Sequence, residues 1–327
     1  MLPFVVSFLA CHPTAKDAPV ATGVELDEDG VRTIGGCPSM PPDNVWNARV
    51  DTLPARSDSA ARMAWLAGTF TDGLAAGACA SVYEGSRCGW PWNIVDADTP
   101  ARTVTFSGPW VWGEAAFPLP EAFRIEGEPN PAGAWDRHVL LIERDTCTLH
   151  ELINVRTGLG GLYADGAARW DLRSNGYALE AWAAAEAAGL PMVPGIHSYE
   201  EVEAGVVAHA LRINLPLVGD AFTWPAVHTD GRSDDALAVP MGARLRLRAD
   251  ADLTGLGPQA TVLATALQRY GAIVADTTVT RWHLGGVPDD RWDEDDLATL
   301  RALRPESFEW VDVASWSPRE GSLAVAP

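Results

Sequence analysis

Lysine is almost absent from this 327-residue chain. Lys16 stands alone, and arginine supplies the rest of 24 basic residues set against 44 acids. The resulting formal charge of −20 repels phosphate backbones and anionic lipid heads, which argues against nucleic acids and membrane surfaces as partners. No apolar run reaches the roughly 18 residues that a membrane-spanning helix needs, and no internal repeat or low-complexity linker interrupts the chain after Gly35. There is no GxSxG, no HExxH, no phosphate-cradling loop and no dinucleotide fingerprint after a strand, so several common catalytic classes lose their signature. CxxC is missing too, and no histidine lies at ligand spacing from the thiols, so no zinc, other metal or cofactor is expected.

What the chain does have is ordinary globular material, 47% apolar and 21% charged, enough for a sizeable core. Its first eleven residues are apolar up to Cys11, and they resemble the end of a bacterial lipoprotein signal in which that cysteine is lipidated. Residues 12–35, polar and acidic from Pro13 to Gly30, read as a flexible tether, residues 36–312 as one globular domain, and 313–327 as a loose tail. Four cysteines remain, an even number that in an exported chain favours two disulfides among three connectivities. Cys79 and Cys88 enclose a short loop containing Gly85, which pairs them and leaves Cys37 with Cys147. The expected location is secreted or cell-envelope, with the membrane reached only through the N-terminal anchor.

Helical signals are sparse. They fall at residues 57–66, 177–188, 258–270 and 293–304, the third with Pro258 in its first turn and Gly271 beyond its end. The acidic start Asp293-Glu-Asp-Asp296 suits a positive helix N-terminus better than a calcium site. Strand patterns dominate the remainder, at 102–107, 138–143, 146–155, 168–173, 206–215, 221–227, 241–248, 271–277 and 280–284. Val139-Leu-Leu-Ile142 is apolar on both faces, as in a central strand covered on both sides. Many short strands with peripheral helices predict a mainly β protein with a β-sandwich or jelly-roll-like core.

Candidate chemistry rests on a few residue types. His228 leaves a strand into a polar loop, and His138 begins a central strand; both suit proton transfer near neutrality. His209 points to the apolar side of its strand, a position open to a core histidine as well as a catalytic one. Glu151 and Asp171 interrupt apolar strands, and two carboxylates across a cleft are what glycoside hydrolysis needs. Arg244, Arg246 and Arg248 share a strand face, and Arg212 lies on another polar face. Such arginines either anchor an anionic sugar or neutralise surrounding acids. Trp90 and Trp92 follow Cys88, Trp110 and Trp112 share a strand face, and Trp224 stands near His228. Flat rings stack on sugars, although large aromatics also fill cores.

Several stretches form a recognisable set: Asp136-Arg-His-Val-Leu-Leu-Ile142, Ala188-Gly-Leu-Pro-Met-Val-Pro-Gly195, Tyr199-Glu-Glu-Val-Glu-Ala-Gly205 with His209-Ala-Leu211, Trp224-Pro-Ala-Val-His228, Pro240-Met-Gly-Ala-Arg244 and Gln268-Arg-Tyr-Gly271. The set covers about half the chain and resembles a group of secreted bacterial proteins to which no activity attaches, so it implies export and leaves the chemistry to the site. The residues favour an exported protein acting on extracellular polysaccharide as a hydrolase or lyase. In that reading His228 or His138 moves the proton, Glu151 and Asp171 are the carboxylates, and Arg244, Arg212, Trp224, Trp90 and Trp92 hold substrate. The alternative is a non-catalytic glycan-binding or structural surface lipoprotein.

Overall fold

The computed structural model describes residues 22–82, 85–111, 115–131, 136–158, 160–176, 185–278, 281–316 and 321–325, without side chains for 109–111. The expected signal with Cys11, the first part of the tether, most of the 177–188 helix and Trp112 lie outside these residues.

The chain is mainly β, with a few short helices around two larger open, mixed sheets. The described residues add a three-stranded sheet (Val24–Leu26, Arg32–Ile34, Cys37–Pro38) and a two-stranded one (Val218–Phe222, Val239–Met241). The first sheet has seven strands and runs Trp92–Val95, Val139–Glu143, Thr148–Ile153, Gly161–Asp171, Ala101–Val111, Ala116–Pro118, with Arg156–Gly158 paired to Gly161–Asp171. Its centre is covered on both faces, as the continuous apolar run at 139–142 requires. Leu140 and Ile142 enter the main core, and Val139 and Leu141 enter a second, smaller one with Val104, Phe117 and Leu152. The second sheet has five strands in the order His283–Leu284, Leu211–Leu215, Ala272–Thr277, Arg244–Leu247, Phe308–Trp310. Leu211–Leu215 and Ala272–Thr277 are parallel, so their C-terminal ends emerge side by side.

Helix Pro258–Arg269 forms as its pattern dictates, with Leu263, Ala266 and Leu267 buried and Gly271 at φ +67° beyond the end. The Asp296 carboxylate accepts the Gln259 and Ala260 N–H groups at the start of that helix. Asp293 likewise caps helix Glu294–Ala298 through the Asp295 and Asp296 N–H groups. These acids therefore complete helix N-termini. Both disulfides join the cysteines that spacing pairs, Cys37–Cys147 and Cys79–Cys88, each with Cα atoms 5.4 Å apart. No helix among the described residues is long and apolar enough to cross a membrane.

Two boundaries need correction. Residues 22–35 are not tether. Strands Val24–Leu26 and Arg32–Ile34 pair antiparallel, and Arg32 is buried with its guanidinium on the carbonyls of Val193, Pro194 and Ile196 and on Glu201. Residues 313–325 are not a loose tail where described, because Trp316 and Leu323 are buried and Ala324 bridges to Asn44. Strand boundaries shift as well. Residues 206–210 precede the strand Leu211–Leu215, the strand at 221–227 is Val218–Phe222, and the one expected at 241–248 breaks at Gly242, φ +84°. A Cβ at Gly242 would lie 1.9 Å from the Thr223 carbonyl oxygen, so the interruption is built into the sequence.

Candidate functional site

The two sheets meet over a short segment, residues 185–188, that gathers polar groups from both. His138, just before the strand Val139–Glu143 of the first sheet, sets Nε2 2.9 Å from the Ala185 carbonyl oxygen and Nδ1 2.6 Å from the Glu126 carboxylate. Glu186 pairs with Arg212 of the strand Leu211–Leu215, both side chains fully buried. The Ala187 carbonyl lies 2.8 Å from His228 Nδ1, and the Ala188 N–H donates to Ala275 in the second sheet. Burial alone would depress the imidazolium of His138, but Glu126 beside it outweighs that and raises it to about 9. Burial pushes Glu186 up to about 7 even though Arg212 opposes the shift.

Arg212 opens onto a ring of side chains. Its guanidinium lies 4.3 Å from the centroid of Trp90, which stacks on His283 at 5.8 Å. His283 pairs in register with Asn214, two residues from Arg212 on the same strand face. On the other side Asn214 pairs with Asp276, at a register shift that brings this acid onto the row. His283, Asn214 and Asp276 thus form a cross-strand row at the C-terminal end of the parallel pair, the end at which open sheets bind ligands. Gly285 makes the approach possible, since a Cβ there would lie 2.5 Å from Arg212 Cγ.

The chemistry of the row follows from its surroundings. Asp276 is half-buried, and burial lifts its carboxyl to about 7 against the pull of Arg212, whose Nη2 lies 3.7 Å away. Burial depresses His283 to about 4, and its Nδ1 lies 3.0 Å from its neighbour's carbonyl, Leu284 O. The ring is therefore neutral near pH 7 with Nε2 as the acceptor. Beside the row, Thr277 donates its hydroxyl to the exposed Asp230 at 2.8 Å. Asp230, Thr277, Thr278, Leu217, Arg232 and Ser233 line a pocket of about 600 Å³.

The residues singled out by sequence are scattered by comparison. Glu151 is fully buried and accepts the Met192 and Val193 N–H groups and the Trp170 indole. Burial raises its carboxyl to about 7. Asp171 lies on the opposite face of the sheet, exposed, with its side chain on the Arg173 N–H, so the two are no carboxylate pair. His138 has both ring nitrogens occupied. His209 is buried between Glu201 and its neighbour's carbonyl, the core alternative. Arg244 is buried with its guanidinium on the carbonyls of Val45, Ala48 and Tyr270, which removes it as a substrate anchor. Arg246 pairs with Glu309 and Arg248 with Asp250. Trp92 is core, bonded to Thr22, and Trp90 is buried too, so neither forms a surface platform. Trp224 packs against Trp316 and donates to Ser322. Arg212 and, at the rim, His228 remain with the site.

Glu186, Asn214, Asp230, Asp276 and His283 were missed. Asp276 carried a signal, an acid closing the apolar run Ala272-Ile-Val-Ala275. Glu186 carried none, one acid in an alanine-rich stretch. Compared with protein-family models, curated proteins and solved structures, the chain gives no match.

Proposed function

We propose that this chain is an exported protein that cleaves extracellular polysaccharide by acid–base catalysis at the C-terminal ends of strands Leu211–Leu215 and Ala272–Thr277. The observation that carries this reading is the row His283–Asn214–Asp276, set over the buried Glu186–Arg212 pair and beside the pocket lined by Asp230. A carboxyl titrating at about 7 holds a proton in much of the population at neutral pH, as a general acid must. Asp276 would protonate the departing glycosidic oxygen. The exposed Asp230 would take the proton of a water whose oxygen bonds to the anomeric carbon, the two-carboxylate division of labour of glycoside hydrolysis. Arg212 and Asn214 position the acid.

Export is supported by the two disulfides, which persist in oxidising compartments. The apolar stretch ending at Cys11 supports a lipid anchor in the cell envelope.

The test is release of new reducing ends by the full, disulfide-intact chain from a panel of neutral and anionic polysaccharides. Release from one class, lowered at least about 100-fold in Asp276→Asn with an unchanged melting temperature, supports the assignment. No release from any member overturns it.

A further inference from the structure

Arg232 lines the pocket of about 600 Å³, together with Asp230, Asp234 and the apolar Pro216, Leu217 and Val218. It stands two residues from an aspartate on either side, Asp230 and Asp234. Elsewhere in this chain that spacing closes an ion pair, as in Arg49–Asp51, Arg56–Asp58, Arg248–Asp250 and Arg291–Asp289. Where it does not, at Arg169 and Arg173 beside Asp171, the guanidinium donates to a carbonyl oxygen instead. The exposed Arg232 does neither: among the described residues its guanidinium has no ion pair and no hydrogen bond. The backbone that carries it is nonetheless fixed. The Arg232 and Ser233 N–H groups both donate to the Val218 carbonyl, and the Asp220 N–H donates to the Ser233 carbonyl. A Cβ at Gly231 would lie 2.1 Å from the Gly219 carbonyl oxygen, so the loop is packed onto the strand Val218–Phe222. Asp230 is held in turn by the Thr277 hydroxyl at 2.8 Å.

Resting on the polysaccharide reading above, we infer that Arg232 is the substrate anchor and that the pocket takes a uronic-acid residue, its carboxylate on the guanidinium. The planar fork of arginine donates two parallel hydrogen bonds to the two coplanar oxygens of a carboxylate. Pro216, Leu217 and Val218 give the same pocket an apolar patch for the C–H face of a sugar ring, and Leu217 is one of the few large apolar side chains left exposed. Asp230 lies in the same lining, so the group proposed to activate water and the anchor act on one sugar. Asp230 and Asp234 also mean that the local field does not draw anions in. A preference for an acidic sugar therefore has to come from contact with Arg232, which makes the residue separable by substitution. This is the role that Arg244, buried on carbonyl oxygens, cannot fill.

The experiment is a calorimetric titration of the full, disulfide-intact chain with oligosaccharides of galacturonate, mannuronate and glucuronate, using cellobiose as the neutral counterpart. At least one uronate should bind, and cellobiose should bind at least about tenfold more weakly. Arg232→Gln should weaken uronate binding about 10- to 100-fold, the worth of a hydrogen bond to a charged group. Arg232→Lys keeps the charge and loses the fork, so its affinity should fall between the two. Arg269→Gln removes the same charge from an exposed position at the end of helix Pro258–Arg269, and it should bind as wild type does. All three variants should melt with wild type, since the Arg232 guanidinium holds nothing in the fold. Equal binding of uronates and cellobiose, binding of no uronate, wild-type affinity in Arg232→Gln, or the same loss in Arg269→Gln overturns the inference. Uronate binding that Arg232→Gln loses, without reducing-end release from any polysaccharide, retains the anchor and overturns cleavage. Release confined to neutral polysaccharides retains cleavage and overturns the anchor.

Discussion

Arg212 and Glu186 carry opposite charges with no exposed side-chain surface on either, and their energetics are set by what removal of one does to the other. A buried ion pair contributes little net stability against an apolar replacement of both partners, yet deleting one partner strands a charge. Glu186 responds to pH because its folded-state value, about 7, lies above its ordinary one. Its contribution to stability is therefore complete below the ordinary carboxylate range and is lost as pH rises through 7. Arg212→Met removes the group that lowers this value, so the loss should deepen. The variant should be destabilised by about 3–5 kcal/mol at pH 8 and clearly less at pH 5, where Glu186 takes up a proton. Urea melts at the two pH values decide it, and equal losses at both would refute the pairing. Half of this pair was legible in the sequence. Strand alternation puts Arg212 on a polar face, and the structure sets its guanidinium on Glu186. Glu186 is 26 residues away, and Asp276 and His283 join the face only when three strands align. Long-range pairing of this kind leaves no local periodicity to read.

At the level of elements, the sequence is most readable where one periodicity runs unbroken. The run at 139–142 and the helix Pro258–Arg269 come out where apolar spacing, the leading proline and the trailing glycine put them. The N-terminal hairpin was hidden because its strands are three residues long and its surroundings acidic. What orders it is Arg32, a single side chain inserted into the turn at Val193–Gly195. There it reaches Glu201, which closes a capping box with Ser198 at the start of helix Tyr199–Glu203. Burial would raise the Glu201 carboxyl, but Arg32 and His209 outweigh it and hold it down at about 2. A lowered carboxyl stabilises the fold above the ordinary carboxylate range and loses that contribution as pH falls through 2. Arg32→Ala should therefore cost about 3–5 kcal/mol at neutral pH, because it strands the Glu201 charge. It should also lower the protection of 22–38 amides in hydrogen exchange. A melting temperature within a degree of wild type would return the hairpin to the status of a tether.

At the scale of the whole molecule, the two disulfides divide stability from site geometry. Cys37–Cys147 spans 110 residues and fastens the hairpin region to the turn between Val139–Glu143 and Thr148–Ile153. Cys79–Cys88 spans 9 and frames the loop that delivers Trp90 under Arg212. In the chain-entropy view, a cross-link stabilises by shrinking the unfolded ensemble, more so for a longer loop. The estimates are about 5 kcal/mol for the first bridge and about 2.5 kcal/mol for the second. The two bridges should rank oppositely for function, since the second lies two residues from the Trp90 indole and the first lies outside the ring. Replacing Cys37 and Cys147 together by alanine should shift the guanidinium midpoint further than replacing Cys79 and Cys88. Among molecules still folded, the second replacement should lower the release of reducing ends more. Equilibrium melts and reducing-end assays on the same two preparations give both rankings. If the Cys79–Cys88 variant is the less stable and releases reducing ends as wild type does, then the short bridge is a structural staple with no part in holding the site.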